Sequence, residues 1–227
     1  GRGGIPLLES GYVILFATLI QSVLISLVLI VLPLWKRMRT NSVHRGRMVG
    51  YFASLGFAFF FIEIAFIQKF LLFLHHPVLA VAAVLSGFLV FAGLGSYLAG
   101  RWQTNQDAHH LVVMAVITIG VLGVLYALVL PNLVFEPLTA APMSVKLAVS
   151  LMLIGLLAIP MGMPFPLGLA RLGERAKKQI PSAWAVNGCA SVISAVLATV
   201  IAIHFGFTVV VSLAVVLYFL AAGLFKF

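Results

Sequence analysis

The sequence has few acidic residues, few charged residues of any kind and a single cysteine. Five aspartates and glutamates stand against 14 lysines and arginines, and charged residues make up 8% of the chain. Soluble domains carry about 25% charged residues, so this composition excludes an ordinary soluble domain. The lone Cys189 excludes a disulfide framework within the chain, and we expect it to be a packing residue.

The motifs of nucleotide-binding and redox enzymes are also missing. The sequence contains no glycine-rich loop after a strand, no P-loop and no pair of cysteines at metal-ligand or redox spacing. We therefore predict no nucleotide or S-adenosyl cofactor, no metal centre and no enzyme activity for this chain alone.

The most prominent feature is a series of long apolar runs, since 63% of the residues are hydrophobic. A membrane-spanning helix needs about 20 such residues, whereas strands of a membrane barrel are about ten residues long and alternate in polarity. Seven runs fit the helical pattern, at about 12–35, 48–74, 77–100, 111–130, 145–161, 182–204 and 207–225. The sequence predicts an all-α integral membrane protein, a seven-helix transmembrane bundle that forms one polytopic domain over residues 1–227.

The basic residues predict how this bundle is oriented. Loop 36–47 carries five lysines and arginines, loop 164–181 carries four, and Arg101 and Lys226 bring that side to eleven. The other side has three, which are Arg2, Lys69 and Lys146. Because basic loops stay in the cytoplasm, we expect the N-terminus outside and the C-terminus inside. The net charge of +9 then reflects membrane orientation, and the expected partner is the lipid bilayer, not nucleic acid.

One acidic residue interrupts the apolar run FFFIEIAFIQKF, residues 59–70. A carboxylate at membrane depth costs about 3 kcal/mol even on lenient scales, so Glu63 is expected to face protein or water. The predicted span boundaries place Gln21 and Ser86 at the same depth. We predict an intramembrane polar site of Glu63, Gln21 and Ser86. It is either a proton, cation or ligand site or a structural hydrogen-bonded cluster.

Small residues recur every four positions on the sixth predicted helix. Such ridges let membrane helices approach closely, and they predict that this helix is buried. The predicted packing face comprises Ala183, Asn187, Ser191 and Ala195, beside a second ridge of Ala190, Ser194, Ala198 and Ala202. The third helix has a similar ridge at Ala92, Ser96 and Gly100.

The segment IPMGMPFPLG, residues 159–168, predicts a helix break at Pro160, Pro164 and Pro166. Each proline removes a backbone donor, so the fifth helix is expected to end here. Two interpretations remain, a simple helix terminus or an irregular backbone that cradles a ligand.

The histidines leave one redox alternative open. The pairs 75–76 and 109–110 are predicted at opposite membrane faces, so they cannot share a metal or haem site. His204 is predicted near His75 and His76 at the outer face, where a metal or quinone site is an alternative to ordinary interfacial histidines.

Three stretches together resemble a known family. They are YFASLGFAFFFIEIAFIQKFLLFLHHPVLAVAAVLSGFLVFAGLGSYLAGR, MGMPFPLGLARL and PSAWAVNGCASVISAVLA. They resemble the membrane region of bacterial membrane-bound spermidine synthase-like proteins. The opening GRGGIPLLESGYVILFATLIQSVLISLVLIVLPL resembles the segment that follows the soluble domain of these proteins, so the resemblance spans nearly the whole chain. The resemblance implies a multi-pass bundle in the bacterial inner membrane, transporter-like in style. It also implies a soluble aminopropyltransferase-like domain, which has no counterpart in these residues.

Three functional hypotheses follow from the sequence. The first is a membrane anchor or scaffold of spermidine synthase-like type that works with other membrane or soluble subunits. The second is a transporter-like module that moves a small cation or polyamine past Glu63. The third is a membrane subunit of a redox complex with a quinone or haem near the outer histidines.

Overall fold

The computed structural model describes residues 7–26, 28, 43–104 and 106–226. These residues form seven α-helices and no β-strand. The helices are α1 (Leu7–Ser26), α2 (Val43–Leu74), α3 (Pro77–Trp102), α4 (Ala108–Leu130), α5 (Met143–Met161), α6 (Pro164–Arg175) and α7 (Ile180–Leu224). A π-helical turn, Pro131–Phe135, follows α4, and a 3₁₀ turn, Lys177–Gln179, precedes α7.

Five stretches of the described chain are helical, long and apolar enough to cross a membrane. They are Arg45–Leu74, Pro77–Trp102, Ala108–Leu130, Met143–Arg175 and Lys177–Leu224. Helices satisfy their own backbone hydrogen bonds, which is what a lipid environment requires. The prediction of a helical, multi-pass membrane protein is therefore confirmed.

The longest helix, α7, folds back on itself at Gly206. This glycine has φ 81° and ψ 175°, a conformation that only glycine adopts readily. Asn187 hydrogen-bonds to α2 at Phe52, and the Leu224 side chain packs on Gly50, less than a turn away along α2. A straight helix would separate residues 187 and 224 by about 55 Å. The two arms of α7, 180–205 and 207–224, therefore lie side by side along α2.

Four of the predicted spans fall within observed helices, namely 48–74 in α2, 77–100 in α3, 111–130 in α4 and 145–161 in α5. The predicted spans 182–204 and 207–225 correspond to the two arms of α7, and the predicted boundary between them coincides with Gly206. Of the first predicted span, 12–35, the structure describes 12–26 and residue 28. The other residues lie outside the described part of the chain.

The predicted loop 164–181 is wrong in one respect, because most of it is helical. Residues Pro164–Arg175 form α6, which begins with a proline at its first turn. Proline is accepted there because the first turn has no internal partner for its amide. The same residue type that ends α5 therefore starts α6.

The core is centred on α2, which packs against both arms of α7 and against α3. Phe66 of α2 is fully buried and lies 5.5 Å from Phe88 of α3, 5.9 Å from Tyr126 of α4 and 6.1 Å from Phe207 of α7, measured between ring centroids. One aromatic side chain thus joins four helices, and pairs at this spacing contribute beyond their buried area.

Candidate functional site

Glu63 lies inside the bundle, with 6% of its surface exposed. It follows Phe52 by eleven positions and Gly56 by seven, which returns it to within about 20° of the same helix face. That face carries the contacts between α2 and the first arm of α7. Glu63 is therefore buried on the side of α2 that packs against this arm.

Gln21 and Ser86 do not share the burial of Glu63, and the cluster of the three stays a prediction. Ser86 is exposed on α3, and its hydroxyl donates a hydrogen bond to the Ala82 carbonyl of its own helix at 2.6 Å. Gln21 is exposed on α1, which packs mainly against α7. Depth along the membrane normal was the basis of the predicted cluster, and depth alone does not say which way a side chain points.

Hydrogen bonds tie the first arm of α7 to α2. The Asn187 side-chain amide donates to the Phe52 carbonyl at 3.1 Å. The Ser194 hydroxyl lies 2.8 Å from the Ser191 carbonyl and 3.4 Å from the Gly56 carbonyl. A β-carbon on Gly56 would lie 2.6 Å from the Asn187 carbonyl oxygen, so glycine is required for this approach.

Of the predicted packing face, Ala183 is fully buried and Asn187 is half-buried and bonded to α2. Ser191 and Ala195 are half-buried, and the Ser191 hydroxyl donates to the Asn187 carbonyl of its own helix at 2.8 Å. Beyond Ala183, the buried residues of this arm belong to the second ridge, namely Ala190, Ser194, Ala198 and Ala202. The arm is thus rotated by about one residue from the predicted face.

The tightest helix contact, between α3 and α5, depends on glycines that the sequence reasoning missed. A β-carbon on Gly95 would lie 1.9 Å from the Ile159 carbonyl oxygen, and one on Gly162 would lie 2.0 Å from that of Ala92. The predicted ridge ran through Ala92, but its Gly100 has open space around it. In the sequence, the one indication of this contact was Gly162, a small residue beside the proline break.

The helix break falls among the three predicted prolines. Pro160 lies in the last turn of α5, while Pro164 and Pro166 lie in the first turn of α6. The Tyr51 hydroxyl donates to the Pro164 carbonyl at 2.5 Å. The side chains of Met161 and Met163 are buried at the break. Pro160 and Met163 also line a mainly apolar groove between α3, α4 and α5, so both interpretations of the break stay open.

Two lysines lie against aromatic rings at the end of the bundle where α2 ends. The Lys69 Nζ atom is 5.6 Å from the ring centroid of Phe135 and 5.8 Å from that of Phe207. Lys146 is only 6% exposed, and its Nζ atom is 5.6 Å from the ring centroid of Phe73. The rings of Phe73 and Phe135 are 4.6 Å apart, so both cations share one lysine–aromatic cluster.

The histidines do not form a metal site. Among residues 43–104 and 106–226 there is no group of three or more His, Cys, Asp or Glu side chains that could hold a metal ion, and none in α1. His75, His76 and His204 are exposed, and His204 Nδ1 lies 2.9 Å from the Val200 carbonyl oxygen of its own helix. The outer histidines therefore offer no convergent ligand set in the described chain.

A large cleft opens at the opposite end, where α2 begins. Its volume is about 990 Å³, and we call it the basic cleft because four of its lining residues are cationic. Its lining residues are Arg45, Met48, Val49, Arg175, Ala176, Lys177, Lys178, Gln179, Pro181 and Ser182. The sequence did not indicate that these four cations would line one cleft, because they look like the other basic residues of the same predicted membrane face.

Two further cavities are smaller. One of about 240 Å³ lies beside the lysine–aromatic cluster and is lined by Lys69 and Glu136 among others. The other, about 360 Å³, is a mainly apolar groove between α3, α4 and α5. Glu63 lines none of these three cavities.

The chain matches no protein-family model, no curated protein and no solved structure. The arguments about function therefore rest on the sequence and on the geometry of the described residues.

Proposed function

We propose that this chain is a closed membrane module that anchors or scaffolds a larger assembly. The observation that carries the proposal is the burial of Glu63. It lies on the face of α2 where Gly56 packs closely against Asn187 of α7. The polar residue best suited to bind a transported cation is thus covered by packed helices. A compact interior of this kind fits a structural role.

A transporter would need a different arrangement. Transporters commonly bind substrate near the membrane midplane, where discontinuous helices line a cavity. Here the discontinuity between α5 and α6 packs against Ala92 of α3, its Met161 and Met163 side chains are buried, and the groove beside it is mainly apolar. Glu63 also lines none of the three cavities described above. These features favour an anchor over a cation or polyamine transporter.

We further propose that the chain is related to the membrane region of bacterial spermidine synthase-like proteins. The proposal rests on the three sequence stretches and includes location in the bacterial inner membrane. A soluble aminopropyltransferase-like domain, or a separate subunit, is then the natural partner of the module.

The proposed topology has seven spans, counting α1 and each arm of α7 separately. The fold-back at Gly206 supports two spans in α7, and the basic residues support a cytoplasmic C-terminus. Single cysteines at Lys178 and Thr139, both exposed, test it in a Cys189→Ala background. We expect impermeant thiol reagents to label Lys178→Cys only from the cytoplasm and Thr139→Cys only from outside. Labelling of both from one side would refute seven spans.

Reconstituted vesicles test the function directly. Two quantities are measured, the uptake of labelled spermidine and the dissipation of a potassium gradient. Both are measured for the wild-type chain, for Glu63→Gln and for empty vesicles. The proposal predicts no uptake above empty vesicles for either protein. It also predicts that the tagged chain, crosslinked in intact cells, purifies with a partner subunit at fixed stoichiometry. Uptake that Glu63→Gln abolishes would contradict the proposal and establish the transporter alternative.

A further inference from the structure

We infer that the basic cleft binds a phosphate-bearing anion at the membrane surface. Four cations line it, namely Arg45 of α2, Arg175 of α6, and Lys177 and Lys178 of the turn between α6 and α7. The lining includes no carboxylate. Cations from three separate elements therefore meet around one concave space, which concentrates positive potential there.

The start of α7 adds to this potential. The helix begins at Ile180, and its N-cap residue Gln179 makes no side-chain capping hydrogen bond. Gln179, Pro181 and Ser182 all line the cleft. The Ile180 amide donates to the Lys177 carbonyl and Pro181 has no amide proton, so the contribution of this end is the positive pole of the helix dipole. The positive end of the longest helix thus borders the same space as the four cations.

The size and position of the cleft fit a small phosphate-bearing ligand at the membrane surface. Its volume of about 990 Å³ is at the upper end for small-molecule sites. Met48 and Val49 give it an apolar side where α2 enters its membrane-spanning stretch. Trp184, one turn into α7, is 57% exposed, as expected of an aromatic residue at a membrane interface. A phosphate on a lipid headgroup and a soluble phosphate compound both fit this chemistry.

Positive-inside orientation alone does not account for the cleft. Arg101 and Lys226 are exposed at the same predicted face and do not line it. If the basic residues acted only through net charge, these two would contribute as much as Lys177 and Lys178. The two pairs therefore provide a matched comparison at equal change in charge.

The experiment uses the full chain purified in detergent. Native mass spectrometry measures binding of anionic phosphatidylglycerol, with zwitterionic phosphatidylcholine as the reference of zero net charge. Calorimetry measures binding of inorganic pyrophosphate. Each is repeated for Lys177→Gln/Lys178→Gln and for Arg101→Gln/Lys226→Gln. All four positions are exposed, so both double variants are expected to fold.

We expect Lys177→Gln/Lys178→Gln to weaken anion binding about 30-fold, and Arg101→Gln/Lys226→Gln to weaken it less than about threefold. If phosphatidylglycerol shows this pattern, the ligand is a lipid headgroup. If only pyrophosphate shows it, the ligand is a soluble phosphate compound. Equal losses in the two double variants, or no loss in either, would overturn the inference.

Discussion

The interior of the bundle and the basic cleft use polar groups in opposite ways. In the interior, Glu63 is buried and the half-buried Asn187 bonds to the neighbouring helix. In the basic cleft, Lys177 and Lys178 line an open space of about 990 Å³ and are exposed. Interior polar groups are therefore expected to affect folding, and cleft groups to affect binding.

The two lysine environments make the same distinction. Lys146 is buried against Phe73, whereas Lys178 is exposed in the basic cleft. A cation shielded by aromatic rings is stabilised from within the protein. A cation in an open cleft can interact with water, with lipid headgroups or with a ligand. The difference teaches that basic residues of one chain can serve packing at one end and recognition at the other.

The largest expected effect is on the contact between α3 and α5. Gly95→Ala would place a β-carbon 1.9 Å from the Ile159 carbonyl oxygen. Backbone atoms cannot move aside as a flexible side chain can, so we expect a loss of about 3 kcal/mol or more in the free energy of unfolding. Unfolding by SDS in mixed micelles measures this loss. Gly93→Ala on the same helix, where nothing lies within 4 Å, is the control and should not destabilise. Equal effects would refute the close contact.

The second effect concerns the lysine–aromatic cluster. Phe73→Leu removes the ring that lies against Lys146 and is expected to destabilise the protein. In a Lys146→Met background the same change should cost less, because the cation that needs the ring is gone. We expect a coupling energy of about 1–2 kcal/mol between the two positions in a double-mutant cycle of unfolding. A coupling of zero would show that the ring acts only through packing.

A smaller effect is expected at Asn187. Asn187→Ala removes the hydrogen bond to the Phe52 carbonyl between α7 and α2. Hydrogen bonds between membrane helices average about 0.6 kcal/mol, so we expect a loss of about 0.5–1.5 kcal/mol in the free energy of unfolding. Ser191→Ala, which removes a bond within one helix, should change it by less than about half as much. The reverse order would contradict the assigned interface.

The smallest effect is expected in the basic cleft. Lys177→Gln/Lys178→Gln should leave the free energy of unfolding within about 0.5 kcal/mol of the wild type, as surface substitutions usually do. The melting temperature in detergent is a sufficient readout. A large loss would place these lysines among the packing residues and remove the contrast between cleft and interior.

The fold class and most helix boundaries could be predicted because they depend on apolar length. The turn at Gly206 was also predictable, since a small residue separates two long apolar runs. The rotation of each helix was not. The deeply buried ridge passes through Ala190 and Ser194 instead of Ser191 and Ala195. A helix that is apolar on all sides has no amphipathic pattern, so its sequence does not indicate which face packs against the protein.

The candidate sites depend on that rotation. The burial of Glu63 was predictable from the cost of exposing a carboxylate to lipid, but the exposure of Ser86 and Gln21 was not. Likewise, the basic cleft arises from the way α6 and the start of α7 pack beside α2. Such contacts between distant parts of the chain have no local signal in the sequence.

Thiol labelling tests the closed interior most directly. In a Cys189→Ala background, Glu63→Cys and Lys178→Cys are each exposed to a membrane-impermeant maleimide in folded, reconstituted protein. The account predicts rapid labelling of Lys178→Cys and none of Glu63→Cys from either side, until SDS unfolds the chain. Labelling of Glu63→Cys in the folded protein at a rate close to that of Lys178→Cys would show an aqueous path to this residue, and would contradict the closed module.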